Sequence, residues 1–407
     1  MSETKPALLV AKGVISRMGG AERDLIRRLP HLTKYYDVSV ATLSSCEELE
    51  SVCTNHGIDL YKPDREWVPP NSSIAQIFDM VHTSSKNAWI KCQNLINKLK
   101  DFDYFHVVSG DGYLALLQLI PPDKPAHLYL LEPHRGYHED SLHRGMYGNL
   151  RRPKIITSFL LAKGRRNDLR IVKQFSQRRN TQISGNSSYT ASRIKQVYQV
   201  DCEFIHPCVD SSEYSEDVSK TKNPYPNSAS KTYVSTIGIA SWAKGSMEVI
   251  SMLSGTDLSL VHVGGGHSKD IETLVQHAAN NAVDIWIAPK LTSNELSRLI
   301  KDSVAVVSMA HKEPFGLTPI EAFSVGTPAI FVEDGGFIDS IIDHECGRLI
   351  PRTAIQEWHA ALHQAKIQAN RQTWAKNGRQ RIIDLKLSPT EQAEKVHTIL
   401  QSISPTK

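Results

Sequence analysis

Short runs of apolar residues alternate with stretches of helical periodicity along most of this chain. Apolar runs bounded by glycine, proline or polar turns are typical of strands in buried parallel sheets, and apolar residues at intervals of three and four are typical of helices. The alternation therefore predicts an α/β fold in which helices cover parallel sheets. The predicted strands cover residues 7–10, 38–41, 102–108, 127–131, 182–184 and 204–205 in the first half, and 233–237, 258–263, 283–287, 304–308 and 329–332 in the second.

The pattern is interrupted by a polar, proline-broken stretch at residues 211–230, which is typical of a linker. A chain of 407 residues also exceeds the usual size of a single core. We therefore expect an amino-terminal domain over residues 1–210, a linker, a carboxy-terminal domain over 231–386 and a final helix over 387–407. Each domain is predicted to be a doubly wound, Rossmann-like parallel sheet, with ligands bound at the carboxyl ends of the strands in a cleft between the domains.

The final helix has a clear beginning in the sequence. Residues 388–391, Ser-Pro-Thr-Glu, have the pattern of a capping box with proline in the first turn. Beyond it, Ala393, Val396, Leu400 and Ile403 recur at helical spacing. This pattern predicts an amphipathic helix with one buried side.

Composition narrows the class of protein only modestly. Hydrophobic residues make up 40% of the chain and charged residues 22%, as in ordinary globular proteins, and no apolar run approaches the length of a membrane span. The start, Met1 to Pro6, lacks the pattern of a signal peptide. The six cysteines are scattered without the spacing of a zinc or redox motif. We therefore expect a cytoplasmic protein without a structural metal.

The formal net charge of +4 conceals a strong asymmetry. Residues 141–180 contain eleven basic residues and one acid, Asp168, so this segment carries +10 and the rest of the chain −6. The segment also contains an apolar cluster, and such a stretch can lie on anionic lipid at about 1 kcal/mol per basic residue. A phosphorylated or acidic acceptor and a solvated helical face without a partner remain alternatives. Nucleic acid is disfavoured, because aromatic residues are not interleaved with the charge.

Two glutamates, Glu313 and Glu321, frame a turn in the second half of the chain. Glu313 follows a predicted buried strand and Glu321 opens a helical pattern, while Gly316 permits a tight backbone and Pro319 suits the first helical position. A strand, a turn with free N–H groups and a helix N-terminus together make an anion site. The two carboxylates could then hold hydroxyls of a phosphorylated sugar. Residues 318–321 also match a capping box, which would give Glu321 a structural role compatible with the first.

The stretch Glu313-Pro-Phe-Gly316 with Glu321 resembles the paired-glutamate motif of the family 4 (group 1) retaining glycosyltransferases, which have the GT-B fold. Further similar segments follow in the same order along nearly the whole chain: Gly19-Gly20-Ala-Glu-Arg23, 186–190, 207–210, Lys244-Gly245, 264–266, 326–328, Gly335-Gly336 and Gly347. This ordered set is more specific than any single glycine loop.

The resemblance implies roles for residues of the second domain. Glu321 would bind the ribose hydroxyls of a nucleotide-diphosphate-sugar donor, and Glu313 would hold the donor sugar. Lys244 would neutralise the charge on the leaving nucleoside diphosphate in place of a metal. The diphosphate would be held by backbone N–H groups beside the helix dipole, at Phe315, Gly316, Leu317 and Thr318.

The resemblance also implies donor contacts outside that turn. Gly19 and Gly20 would let the first-domain loop approach the same diphosphate, and the base would pack near Lys290. Two positions depart from the family pattern: Ile239 stands where an arginine usually pairs with the lysine, and Leu131 where related enzymes often have a histidine.

Three histidines lie close to the position of that missing histidine: His127, His134 and His138. His134, in the loop after the predicted strand, is the candidate for a catalytic or acceptor-side role.

Taken together, the resemblance implies a retaining, metal-independent hexosyltransferase that needs no cofactor. It would move a hexose such as mannose or glucose to a hydroxyl of a lipid-linked, polysaccharide or small soluble acceptor, in the cytoplasm or at the cytoplasmic face of a membrane. Two alternatives stay open. A sugar-nucleotide epimerase of the same fold would need no acceptor, and a non-catalytic, donor-binding partner subunit would account for Ile239 and Leu131.

Overall fold

A computed structural model describes residues 5–16, 18–210, 213 and 220–404 of the protein. They form two compact units. The first unit runs to Glu139, resumes over Arg152–Cys208 and takes up the chain again from Ser388, whereas the second consists of Asp140–Arg151 and Val209–Leu387. The units and the predicted domains differ at residues 140–151 and in the assignment of the final helix to the first unit. Of the predicted linker at 211–230, residues 211, 212 and 214–219 lie outside the described residues.

The first unit is built on one parallel sheet. Its strands are β1 Ala7–Ala11, β2 Asp37–Ala41, β3 Asp59–Tyr61, β4 Tyr104–Val108, β5 Ala126–Tyr129, β6 Thr181–Gly185 and β7 Glu203–Phe204. Its helices are α1 Gly20–Leu32, α2 Glu47–Asn55, α3 Ser73–Phe78, α4 Met80–Lys91, α5 Gln93–Ile96, α6 Tyr113–Leu117, α7 Arg135–His138, α8 Lys154–Ser176, α9 Ser188–Tyr198 and, at the end of the chain, α17 Pro389–Ser402. The seven strands lie in the order β3-β2-β1-β4-β5-β6-β7.

The second unit repeats this plan with six strands. They are β8 Tyr233–Ile237, β9 Ser259–Val263, β10 Ile285–Ile287, β11 Val306–Ser308, β12 Ala329–Val332 and β13 Gly347–Ile350, in the order β10-β9-β8-β11-β12-β13. The helices are α10 Ser246–Leu253, α11 Ser268–Asn280, α12 Ser293–Asp302, α13 Thr318–Ser324, α14 Phe337–Ser340, α15 Ile355–Lys366 and α16 Gln368–Asp384.

The prediction of two Rossmann-like parallel sheets is confirmed. Every pairing between named strands is parallel. In each sheet the strand order reverses beside its first strand, between β1 and β4 in the first unit and between β8 and β11 in the second. Ligands of doubly wound folds bind outside the carboxyl ends of the strands at such a switch point. The loops after these four strands are therefore the places to search for a site.

Strand β1 shows how the apolar runs are used. Leu9 and Ala11 pack in one core cluster, which α6 and α8 help to form, whereas Leu8 and Val10 pack in another with α1 and α17. Successive side chains of a strand point to opposite faces, so a continuous apolar run is required where helices cover both faces. The same reasoning accounts for β9, all five residues of which are buried.

The predicted carboxy-terminal helix and its capping box are also confirmed. In α17 the Ser388 hydroxyl accepts a hydrogen bond from the Glu391 N–H at 3.3 Å. Ala393, Val396 and Leu400 are buried in the core of the first unit, where the helix packs beside α1.

A short segment, Asp140–Arg151, joins the second unit although both of its chain neighbours belong to the first. We call this segment the arm. Met146 is buried in the core of the second unit, and the Arg144 guanidinium lies 4.7 Å from the ring centroid of Trp242. Gly148 has φ +81°, and a Cβ atom there would come within 2.7 Å of the Trp242 Nε1, so glycine suits both its backbone and its contact. The basic segment at 141–180 is thus divided between the two units.

None of the helices in the described part of the chain combines the length and apolarity needed to cross a bilayer.

Candidate functional site

The switch point of the second sheet brings Lys244 and Glu313 together. Lys244 lies in the loop after β8 and Glu313 in the loop after β11, and because these strands are neighbours, their loops are neighbours too. The Lys244 Nζ lies 2.8 Å from the Glu313 Oε2, with the lysine side chain 36% exposed and the glutamate 16%. The carboxylate and the ammonium group are therefore paired yet partly open to solvent.

The loop after β8 holds Lys244 in a short 3₁₀ turn, Trp242–Lys244. The Ser241 hydroxyl accepts a hydrogen bond from the Lys244 N–H at 3.3 Å. Gly245 ends the turn with φ +66°, and a Cβ atom on it would lie 2.0 Å from the Met309 carbonyl oxygen. A residue other than glycine would therefore push the lysine loop away from the loop after β11.

The backbone around Glu313 is fixed by the turn Gly335-Gly336. The Gly336 N–H donates a hydrogen bond to the Glu313 carbonyl at 2.7 Å, and a Cβ atom on Gly336 would lie 2.2 Å from the Pro314 carbonyl oxygen. Lys312, just before the glutamate, has φ +53°, which is unfavourable for a residue other than glycine. Strain of this kind persists only where the surroundings impose it, and it is common beside functional groups.

A set of polar contacts that sequence reasoning missed supports both loops. The Arg352 guanidinium donates to the carbonyl oxygens of Met309 at 2.5 Å and Ala310 at 3.2 Å. His311 pairs with Glu248 at 2.8 Å, and its ring stacks on Trp242 with 3.8 Å between centroids. These partners come from separate parts of the sequence, and no periodic signal links them.

The second glutamate, Glu321, is buried in α13, with 9% of its surface exposed. The capping box predicted at residues 318–321 is wrong. Thr318 is already the first helical residue, Leu317 occupies the N-cap position, and no side-chain cap bond forms. Pro319 is accordingly the second helical residue rather than the first. This removes the structural role proposed for Glu321 as the partner of Thr318.

The other predicted donor contacts lie near this turn or at a strand end. Phe315 is 2% exposed, so its side chain belongs to the core and only its backbone could face a ligand. Gly316 has φ +80° and lies against the ring of Phe337. Lys290 is exposed three residues after β10, and it forms no hydrogen bond or ion pair with another described residue. Ile239 is 62% exposed beside Gly238, so an apolar side chain stands in solvent where the resemblance usually implies an arginine.

In the first unit, the loop that contains Gly19 and Gly20 already binds a carboxylate of the protein, that of Glu22. Gly19 is the N-cap residue of α1, and its N–H donates to the Glu22 carboxylate at 3.0 Å. Glu22 lies 3.4 Å from the Lys12 ammonium, which in turn donates to the Ser109 carbonyl at 2.8 Å. An anion at Gly19 and Gly20 would therefore have to compete with a carboxylate already present.

His134 follows β5 in the first unit and lines a small pocket. The pocket is also lined by His82, Asp111 and Tyr137, and the ring of Tyr137 stacks on His134 with 3.8 Å between centroids. The His134 Nδ1 is buried without a hydrogen-bond partner among the described residues, and burial lowers the pKa of the imidazole. Because this nitrogen is itself buried, a ligand could contact it only after neighbouring side chains move.

The two neighbouring histidines have partners of their own. His127 is buried in β5, where its Nδ1 lies 3.0 Å from the His106 Nδ1, and burial lowers its pKa to about 3. His138 pairs with the buried Asp168 at 2.7 Å. Asp168, the single acid of the basic segment, also accepts a hydrogen bond from Tyr198 at 2.7 Å.

A metal site is not visible in the described residues, which contain no cluster of three or more metal-ligating side chains. The prediction of metal-independent chemistry stays a prediction.

The two doubly wound sheets define the GT-B architecture, and known proteins with this fold are similar over the whole chain. The structure of Anabaena HepE in complex with UDP has 16% sequence identity and a TM-score of 0.70, covering 98% of this chain and all of that one. Another HepE structure contains UDP-glucose. The sucrose-phosphate synthase of Thermosynechococcus elongatus has 15% identity and a TM-score of 0.68, covering 98% of this chain and 99% of that one. Identities this low show the fold alone.

The family comparison is more specific. Residues 218–381 match the model of the family described as glycosyl transferases group 1, so the second unit contains a group 1 glycosyltransferase domain. A D-inositol 3-phosphate glycosyltransferase of Mycobacteroides abscessus is 24% identical over 190 residues, which is 44% of this chain and 42% of that protein. The match thus spans less than half the length of this curated relative.

Proposed function

We propose that the protein is a retaining glycosyltransferase that moves a hexose from a nucleotide-diphosphate sugar to an acceptor hydroxyl, without a metal or a cofactor. The observation that carries this proposal is the ion pair of Lys244 and Glu313, 2.8 Å long, at the switch point of the group 1 domain. Nucleotide-binding sheets hold their ligands at this place. The complexes of HepE with UDP and UDP-glucose make uridine sugars the first donors to test.

In this proposal the site works by alignment and charge. Glu313 accepts hydrogen bonds from the donor sugar, and Glu321 from the ribose. Lys244, held beside Glu313, neutralises the charge that develops on the leaving nucleoside diphosphate, and preorganised charge of this kind is usually the largest catalytic contribution. A donor phosphate oxygen takes the acceptor proton on the same face of the sugar, so no side-chain base is needed. The N–H groups of residues 315–318 hold the diphosphate.

For the acceptor we propose a small polyol or its phosphate, bound by the first unit. The curated relatives are named D-inositol 3-phosphate glycosyltransferases. Support for the first unit comes from His134, the predicted acceptor-side residue, which lines a small pocket together with Asp111. A lipid-linked or polysaccharide acceptor at the cytoplasmic face of a membrane is the alternative.

One observation favours a second candidate function, a donor-binding subunit without catalysis. Ile239 is exposed where the resembling family has an arginine, so the diphosphate would meet one positive charge fewer. Such a protein would bind the donor but turn it over slowly or not at all.

The test is incubation of the protein with UDP-, GDP- and ADP-sugars, with and without inositol 3-phosphate and in the presence of a chelator. Release of nucleotide only with the acceptor supports transfer, and the anomeric configuration of the product, read by NMR, decides between retention and inversion. An isomerised donor sugar would indicate an epimerase. Saturable donor binding without turnover for any acceptor would favour the non-catalytic subunit.

A further inference from the structure

The solvent-facing stripe of α8 separates into an apolar part and a basic part. Ile155, Ile156 and Phe159, in the first turns, are exposed to 84%, 50% and 73%. The stripe continues at intervals of three and four residues, which keeps it on one face of the helix. Its later members are exposed basic residues: Lys163, Arg166, Arg170 and Lys173. The one acid of α8, Asp168, is fully buried, so the exposed stripe carries no negative charge.

Helix α3 extends the apolar part. It packs against α8, and the Asp79 carboxylate at its end accepts a hydrogen bond from the Asn167 amide at 2.7 Å. Ile74 and Phe78 of α3 are exposed to 65% and 58%. Two adjacent helices thus expose five large apolar side chains, and large exposed apolar patches mark interaction surfaces.

The basic part is available for an external anion. None of its four side chains forms an ion pair within the described part of the chain. Among the described residues, the Arg166 side chain donates to the Ala162 carbonyl of its own helix, and Arg170 to the Asn167 side chain at 3.1 Å. A salt-bridged, solvated helix would instead alternate the two signs of charge along its face.

We propose that the exposed stripe of α8, together with Ile74 and Phe78, docks the protein on an anionic lipid bilayer. The apolar side chains would enter the boundary between headgroups and acyl chains, and the basic side chains would contact lipid phosphates. Amphipathic helices bind membrane surfaces by the same two contributions, apolar insertion and attraction between basic side chains and anionic lipids. The surface lies wholly within the first unit and outside the group 1 domain, so the inference goes beyond the proposed function and does not depend on it.

The experiment is co-sedimentation of the full chain with vesicles of phosphatidylcholine alone and with vesicles containing one quarter phosphatidylglycerol. We expect binding to the anionic vesicles and not to the neutral ones. Binding should weaken when NaCl is raised from 0.1 M to 0.5 M, because salt screens the attraction of surface charges.

Two double variants test the two parts of the surface separately. Lys163→Gln with Arg166→Gln should weaken binding to anionic vesicles about 30-fold, as expected for the loss of two basic residues near the surface. Ile155→Ser with Phe159→Ser should weaken it at least about 10-fold by removing apolar insertion. The matched controls are Lys269→Gln with Lys376→Gln and Val275→Ser with Ile383→Ser, which change exposed residues of the second unit and should bind like the unaltered protein.

Equal sedimentation with neutral and anionic vesicles would overturn the proposal, as would the absence of binding to both. So would binding of the Lys163→Gln, Arg166→Gln protein at the level of its control, provided that both variants keep the far-UV circular dichroism of the original. No donor or acceptor is present in this assay, so its failure and a failure of glycosyl transfer are distinguishable.

Discussion

Each unit places a lysine–glutamate pair at the switch point of its sheet, and the two pairs differ in exposure. Lys12 and Glu22 lie 3.4 Å apart with side chains 5% and 16% exposed, and the lysine also donates to the Ser109 carbonyl. Lys244 and Glu313 lie 2.8 Å apart with side chains 36% and 16% exposed. Lys12 is buried and holds the loops after β1 and β4 together, whereas Lys244 is partly exposed and could contact solvent or a ligand.

The same two residue types at the switch points of two doubly wound sheets thus differ in how far the lysine is exposed. In both pairs the lysine follows the first strand of its sheet, whereas Glu22 lies in α1 after that same strand and Glu313 follows the neighbouring strand β11. A buried lysine that pairs with a carboxylate and a carbonyl, as Lys12 does, supports the fold, because removing it leaves these acceptors without that partner. An exposed pair contributes little to stability. For Lys244 and Glu313, ligand binding is the role that we propose.

The largest expected effect is on turnover at the exposed pair. Lys244→Met should lower kcat/KM for glycosyl transfer by roughly 100- to 1000-fold, because the leaving diphosphate loses its preorganised positive charge. Steady-state kinetics with the best donor measure this. Lys376→Met, an exposed lysine of α16, is the control and should leave kcat/KM unchanged. An equal kcat/KM for Lys244→Met and the original protein would remove Lys244 from the mechanism.

Substituting the lysine of the buried pair, Lys12, should lower stability more than substituting Lys244. Lys12→Met should lower the free energy of unfolding by about 3 kcal/mol, because the Glu22 carboxylate and the Ser109 carbonyl lose their partner. Lys244→Met should change it by less than about 1 kcal/mol, since that pair is partly exposed. Urea denaturation of both variants gives the two values. If they are equal, burial does not distinguish the pairs.

We expect acid to destabilise the first unit more than the second, because a buried histidine of the first unit, His127, resists protonation in the folded state. Folded His127 has a pKa of about 3, whereas in the unfolded chain it binds a proton near pH 6.5. The unfolded state therefore binds more protons between these values, so stability is complete above pH 6.5 and is lost as the pH falls toward 3. Through His127, lowering the pH from 7.5 to 5.0 should reduce the free energy of unfolding by about 2 kcal/mol.

Hydrogen exchange at the two pH values measures this loss, and amides of β4 and β5 should become less protected than those of β8 and β11. His127→Phe, a non-titrating side chain of similar size, should reduce the loss between the two pH values. An unchanged pH dependence in this variant would assign the acid sensitivity to other groups.

The smallest expected effect is on donor affinity, and it concerns position 239, where the resemblance implies an arginine and the chain has Ile239. Ile239→Arg should tighten donor binding about 5-fold, because a second cation would lie beside Lys244 at a surface site worth about 1 kcal/mol. Isothermal titration with UDP-sugars, repeated at high salt, measures the gain and its screening. Ile383→Arg on α16 adds the same charge elsewhere and should leave the affinity as it was. Weaker binding by Ile239→Arg would mean that the apolar residue serves the ligand.

Local patterns predicted most of the fold. The runs 233–237 and 329–332 coincide with β8 and β12, because each is a compact apolar stretch with turn residues at its ends. Strand β13 was missed because Arg348 interrupts the apolar run, and the structure shows that Asp343 satisfies this arginine at 2.9 Å. Strand β3, with three residues, is too short to give a periodic signal.

The site was predictable only in part. Glu313 and Lys244 were found through an ordered set of motifs, and the strand order accounts for their contact. The capping box failed because the helix begins one position earlier than its pattern implies. The arm could not be predicted, since nothing in the local sequence indicates that Met146 packs in the core of the second unit. Long-range packing of this kind leaves no periodicity.

The final helix has a consequence for synthesis of the protein. The core of the first unit includes Ala393 and Leu400 of α17, whereas every described residue of the second unit precedes that helix. On the ribosome, the second unit therefore has all of its residues before the first unit does, the reverse of the usual order in which amino-terminal domains fold first. A stop codon near position 388 would retain every described residue of the second unit but leave part of one apolar face of the first unit uncovered, because α1 and α2 would remain and α17 would be lost.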